Sequence, residues 1–261
     1  MSRIPDFAKI QKAAEQRLGK AGLARRLPKV KSAAALRKVT DDRYLSLMSL
    51  RIFRAGLRHD MVDAKWPAFE KAFRGFEPRK VRAMSDEQVE ALMGDRRLIR
   101  HLGKLKSVHA NAAAVCGLAA ERGSVGVYLA DWPGDRIVEL WEDLARRFHQ
   151  LCGNSGPYFL RMAGKDTFIP TYSVVQALQH WRAFPAEPKG KKDRARVGEL
   201  FNAWAEETGL PLAHLSMTLA ASKRPRTSCV IVDPCFGIVN MFFFASSTAF
   251  VIASGTSRAL P

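Results

Sequence analysis

A chain of 261 residues, 47% of them hydrophobic, is long enough to bury one substantial core, or two small lobes sharing a cleft. Its formal net charge of +17 and isoelectric point of about 10.2 point to a polyanionic partner, because Coulomb attraction to phosphate is the commonest use of such a field. The plain alternative is a protein with skewed surface charge. The four cysteines, Cys116, Cys152, Cys229 and Cys235, form no C-x-x-C, and no histidine lies four residues from another. That spacing reads as reduced cytosolic thiols; ligands for a zinc ion could still converge from afar, but nothing in the spacing points to one.

In chain order, the first segment carries no apolar run of the secretory kind. Residues 1–40 hold eleven Lys and Arg against only Asp6 and Glu15, a local charge of +9. Apolar residues recur at helical spacing over 7–23, and Leu27-Pro28 then breaks the pattern. The segment reads either as a solvated basic helix packed on the main body or as a basic arm near DNA phosphates. From Asp41 the helical period is strong. Asp41 or Asp42 is expected to cap a helix over 43–56. Trp66-Pro67 is expected to open a helix over 68–73, closed by Gly75, and Ser85 to Gln88 has the form of a capping box. Further helices are expected over 98–115, 135–151, 169–181 and 197–204, with an exposed Pro- and charge-rich loop over 185–196.

The predicted fold is therefore all-α, about ten helices joined by short turns. Three groups of residues have chemistry to offer. Leu151-Cys152-Gly153-Asn154-Ser155-Gly156 is a glycine-rich turn between two helical segments. Such a turn presents backbone N–H groups to a phosphate at a helix N-terminus, although many helix hairpins contain glycine for packing alone. About ten residues later comes Gly164-Lys165-Asp166-Thr167-Phe168-Ile169-Pro170. Asp166 is either a helix cap or a carboxylate that stabilises an oxocarbenium ion and orients water. Tyr44, Arg51, Phe53, His59 and Trp66 supply the flat surfaces and polar edges that a flipped base needs, or are ordinary core.

Residues 44–73, and 76–114 with the run Leu98-Ile99-Arg100-His101-Leu102-Gly103-Lys104-Leu105, resemble the DNA-3-methyladenine glycosylase I family. A proteobacterial branch of helix-hairpin-helix glycosylase-like proteins is similar at 41–46, 65–70, 164–170 and 201–204, so the likeness covers about residues 5–221. It implies an all-α, two-lobed helical bundle of the helix-hairpin-helix DNA glycosylase type, with a main helical part over 41–222. It also implies hydrolysis of the N-glycosidic bond of an alkylated purine, in double-stranded DNA with the damaged base flipped out, by a monomer using water and no cofactor. A nucleoid-associated cytoplasmic protein fits that reading. Lys165-Asp166-Thr167 is similar to the V-D-T step of the wider superfamily, whose Asp is catalytic and which the methyladenine glycosylase I site itself lacks; that likeness makes Asp166 the catalytic residue, and Arg51, Phe53, His59, Trp66 and Tyr44 form the base pocket. Gly153, Ser155 and Gly156 contact phosphate through the backbone, and Arg100, Lys104 and Lys106 add electrostatic affinity.

The departures are specific. The family's base-reading Glu aligns with Arg51, its stacking Trp aligns with His59, and its zinc ligands have no counterparts in the matching places. The rival readings are a silent DNA-binding module of the same fold and a membrane-tethered basic protein. The second rests on the tail, 223–261, where 235–253 is an uncharged run of 19 residues. Nothing after 222 resembles the family, and a read-through or frameshifted segment is the other explanation of that run.

Overall fold

The computed structural model describes residues 4–223, 231–233 and 237–239. Among them are fourteen α-helices and one two-stranded antiparallel pairing, Ile231–Asp233 with Gly237–Val239. The fold is all-α. Most of the apolar tail lies outside the described residues. Within those residues, no helix is long and apolar enough to cross a membrane.

The basic N-terminal segment forms α1 (Phe7–Leu18), α2 (Lys20–Ala24) and α3 (Ala33–Arg37). Asp6 caps α1 by accepting from the Ala8 N–H at 2.9 Å. One face of α1 buries Phe7, Ile10 and Ala14. Phe7 lies 5.4 Å from the Trp204 ring, whose indole N–H donates to the Pro5 carbonyl at 2.8 Å.

Next come α4 (Asp41–Arg54) and α5 (His59–Ala72). Thr40 takes the capping position of α4, one residue before the aspartates expected there. Asp41 and Asp42 sit in the first turn, where the helix dipole favours them. Helix α5 begins at His59, well before the expected start, and carries Pro67 inside it. A proline in a helix interior costs roughly 3 kcal/mol. Packing outweighs that here: Trp66 stacks between Phe69 at 5.0 Å and Phe76 at 5.4 Å.

Two short helices follow, α6 (Pro78–Arg82) and α7 (Asp86–Ala91). The capping box expected at Ser85 and Gln88 is present with both of its bonds. Helix α8 (Leu102–Arg122) starts later than expected, because His101 caps it through Nδ1. Then come α9 (Val125–Asp131), α10 (Ile137–Arg147), α11 (Ser155–Ala163), α12 (Tyr172–His180), α13 (Gly190–Thr208) and α14 (Leu212–Ala221). The end of the loop expected over 185–196 is thus the first turns of α13.

Helix α4 packs against α5, α8, α9 and α11, while α14 packs against α1, α12 and α13. One continuous core runs through both groups, from Phe7 to Leu219. Helices α10 and α11 join them, α11 touching α4 and α10 touching α13.

Candidate active site

Helices α10 and α11 form a hairpin across residues 148–154. Gln150 and Gly153 both adopt positive φ, 62° and 58°, to reverse the chain. The turn is fixed from α8. Asn111, fully buried, accepts the His149 N–H at 2.7 Å and donates to its carbonyl at 3.1 Å. The Gln150 amide donates to the Gly103 carbonyl at 2.8 Å. A side chain at Gly156 would approach the Leu151 carbonyl to 3.1 Å, so glycine lets α11 start close to the turn. The first-turn N–H groups of a helix have no intrahelical acceptor, and Pro157 has no N–H at all. Gly156 is itself buried in that packing, and of the two expected phosphate-facing glycines only Gly153 is partly exposed.

Beyond α11 the segment 164–170 is clamped at nearly every residue. The Lys165 ammonium donates to the Trp132 carbonyl at 2.7 Å. The Thr167 hydroxyl accepts from the Trp141 indole at 3.0 Å, and its carbonyl accepts from Arg161 at 2.9 Å. Phe168 stacks on Phe201 at 4.2 Å and meets Trp141 edge-on at 4.6 Å. The Ile169 N–H donates to Ser216 in α14 at 3.2 Å. Asn154 of the hairpin donates to the Pro170 carbonyl at 3.3 Å, so the segment returns toward the turn it left.

Asp166 lies in this clamped run and is half-buried. Its two oxygens accept from the backbone N–H groups of Leu212 and Ala213, each at 2.9 Å. It thus caps α14, a helix 46 residues on, while Thr171 caps α12, the helix that follows it in sequence. A carboxylate oxygen has two lone pairs. Those bonds fix the direction of the group and leave acceptor capacity for a water or a developing cation.

Arg51 sits on α4 with 8% of its surface exposed. Its guanidinium lies 4.6 Å above the Tyr158 ring and donates to the Ser155 hydroxyl at 3.5 Å. Ser155 is itself buried, so its side chain serves this contact, not the surface. Arg161 lies one turn beyond Tyr158 on α11. Burial draws its guanidinium down to about 10, against the pull of Tyr158 and Asp166. Arg51 of α4 thus meets Tyr158 of α11, and the charge of Arg161 is felt by both Tyr158 and Asp166. Tyr158 and Arg161 are absent from the sequence-based site. The signal for them was their three-residue spacing on one helix, starting from Ser155.

The remaining expected residues are placed elsewhere. Tyr44 and Phe53 are fully buried, and the Tyr44 hydroxyl donates to the Leu36 carbonyl at 2.8 Å. Trp66 is enclosed by aromatic neighbours and donates to Ser46 at 3.1 Å. His59 is exposed at the start of α5. Partial desolvation of the ring first, then Arg54 and Arg51, hold its imidazole below the ordinary value. Lys104, expected to face phosphate, is 3% exposed. Its ammonium donates to the carbonyls of Ala55 at 2.6 Å and Phe53 at 3.4 Å, and thereby holds the C-terminal end of α4. Arg100 is exposed, and Lys106 is exposed but paired with Glu90 at 2.7 Å.

No cluster of His, Cys, Asp and Glu able to hold a metal occurs among the described residues. Cys116 is a free thiol.

Residues 35–150 match the methyladenine glycosylase family, a stretch that ends inside the hairpin. The DNA-3-methyladenine glycosylase 1 of Escherichia coli K12 is 38% identical over 76 residues. That alignment takes in 29% of this chain and only 41% of the relative's length. Among solved structures, 3-methyladenine DNA glycosylase I of Staphylococcus aureus aligns with a TM-score of 0.44 at 21% identity, over 58% of this chain and 91% of that one. The 8-oxoguanine DNA glycosylase of Methanocaldococcus jannaschii aligns with a TM-score of 0.48 at 14% identity, over 82% and 92%.

Proposed function

From a chain similar over residues 35–150 to the methyladenine glycosylases, we propose a monofunctional DNA glycosylase that removes an alkylated purine from double-stranded DNA, as the first step of base-excision repair. The observation that carries the reading is Asp166, held in one orientation by α14 at the end of a helix–hairpin–helix pair. The bond between C1′ and the purine nitrogen breaks, and its electron pair leaves with the base. An alkylated purine bearing a positive charge departs neutral and needs no proton. The carboxylate stabilises the cationic sugar and receives the proton of the water that adds at C1′. The products are the free base and an abasic site.

Gly153 and Gly156 offer backbone contacts to phosphate, with Ser155 supporting the turn from within. Arg100 and Lys106 add salt-sensitive attraction at the α8 end. Arg51 and His59 lie toward the flipped base, while Phe53, Trp66 and Tyr44 shape that wall from the core. The protein acts as a monomer in the cytoplasm, at the nucleoid.

Mass spectrometry of bases released from methylated duplex DNA tests this. Release by the wild-type chain and none by Asp166→Asn is the expected result. A well-folded Asp166→Asn that releases base at the wild-type rate overturns the catalytic role. One observation favours a second reading, a DNA-binding protein of this fold that releases nothing. The buried Arg51 guanidinium repels a cationic base, and a wild-type chain that binds duplex but frees no base would select that reading.

A further inference from the structure

Between Glu15 and Asp41 the sequence contains no acid and eight basic residues. Lys20, Arg25, Arg26, Lys29, Lys31, Arg37 and Lys38 are all exposed. Among the described residues only Arg37 of these seven has an ion-pair partner, Asp131. This density of uncompensated charge does not hang free. The Lys31 N–H donates to the Gly164 carbonyl at 2.8 Å, and the His214 Nε2–H donates to the Pro28 carbonyl at 3.0 Å. Gly164, at φ +90°, lets the Lys31 stem lie so close that a Cβ there would meet its Cγ at 2.7 Å. The two pins therefore fall on either side of Asp166 in the assembled loop. One is two residues before it, and the other is one residue after Ala213, which bonds its carboxylate.

We infer that residues 25–31 are a second phosphate-binding strap, which grips the DNA backbone beside Asp166. The hairpin lies at the other end of α11, about 13 Å away for nine residues at about 1.5 Å each. That span is on the order of the ~12 Å width of a duplex major groove, so one DNA molecule can engage both. The ligand class is the phosphodiester backbone, read without regard to sequence. The inference rests on the glycosylase reading for its partner but not for its chemistry.

Binding to an undamaged duplex, measured by fluorescence anisotropy between about 50 and about 200 mM salt, separates the two. The strap variant is Arg25→Ala/Arg26→Ala/Lys29→Ala/Lys31→Ala. Its control, Lys9→Ala/Lys12→Ala/Lys71→Ala/Arg79→Ala, removes the same charge from exposed sites elsewhere. The slope of log affinity against log salt is expected to fall by about 0.9 for each lost contact, roughly 2–4 in total, for the strap variant and by less than about 1 for the control. The single change Lys29→Glu, at an exposed side chain, keeps the test alive if the quadruple variant unfolds, and is expected to weaken binding about tenfold. Equal losses in strap and control variants, or no loss with Lys29→Glu, would overturn the strap. If the strap variant alone loses binding while wild type frees no base, the strap stands and the glycosylase reading falls. If wild type frees base and the strap variant behaves like its control, the reverse holds.

Discussion

Within residues 35–150, the stretch that matches a known family, three of the expected site residues are bound into the frame, while His59, Arg100 and Lys106 are exposed. Lys104 holds the end of α4, Trp66 is stacked between phenylalanines, and Arg51 reaches across to α11. After residue 150 the polar groups instead fix the hairpin and the 164–170 run to their neighbours. Asp166 grips the start of α14, Thr167 receives Trp141, and Asn154 ties the hairpin to Pro170. The contrast separates what makes the chain resemble a family from the residues proposed to act. Gly103, Lys104 and the turn at Ala55, which carry much of the resemblance, meet one another: Lys104 bonds Ala55, and Gly103 receives Gln150 of the hairpin. They place the hairpin, and the proposed chemistry falls to the run that follows it.

The contrast breaks first at Asp166. Asp166→Asn is expected to lower base release by about 10²–10⁴-fold, the usual range for a positioned acid or base. Its stability cost is smaller, about 1 kcal/mol for a weakened cap, and thermal melting read beside the kinetics separates the two. Next comes Phe168→Ala. This ring is fully buried between Phe201 and Trp141, and its loss is expected to cost about 3–5 kcal/mol in denaturant unfolding. Base release should fall only as far as the folded fraction does. A large rate loss in fully folded Phe168→Ala would mean that the ring sets the Asp166 geometry directly.

Lys104→Met keeps the apolar stem and removes the donor to Ala55 and Phe53. The expected cost is about 1–3 kcal/mol for carbonyls left unsatisfied in the core, with the salt dependence of DNA binding unchanged. If stability held and the salt slope fell instead, Lys104 would be a phosphate contact and the frame would reach into the interface.

How far the sequence revealed this depends on the range of the forces. The capping box at Ser85 was legible because both of its bonds close within three residues. Pro67 hid the start of α5, since its local cost is plain in the sequence and the aromatic stack that offsets it is not. The start of α13 was hidden by Lys191, Lys192, Asp193 and Arg194, which read as a solvated loop until the core residues of that helix hold it in register. Asp166 was legible as a candidate, yet its partners lie 46 and 47 residues on. Lys104 misled because lysine is rarely buried. Tyr158 met Arg51 only when α11 packed on α4, and Arg161 found the Thr167 carbonyl only when the chain turned back after α11.

The smallest expected effect lies at Asp143, on α10 just before the hairpin. Its carboxylate accepts from the Tyr128 hydroxyl at 2.6 Å and from Arg147 at 2.7 Å, and it also pairs with Arg146. Burial pushes this carboxyl up, but the Tyr128 hydroxyl and the two arginines outweigh it and leave it below the ordinary 3.8. A depressed carboxyl binds fewer protons in the folded state than in the unfolded one. Its contribution is therefore present in full above the ordinary carboxylate range and is lost as pH falls through the folded value, in the acid region below about pH 4. Asp143→Asn should lower stability at neutral pH by about 1–2 kcal/mol, with both arginines partly exposed and screened. It should also flatten the acid limb of the stability profile. An unchanged acid limb would mean that α10 is held by its apolar face alone, and that the hairpin owes nothing to the charges around it.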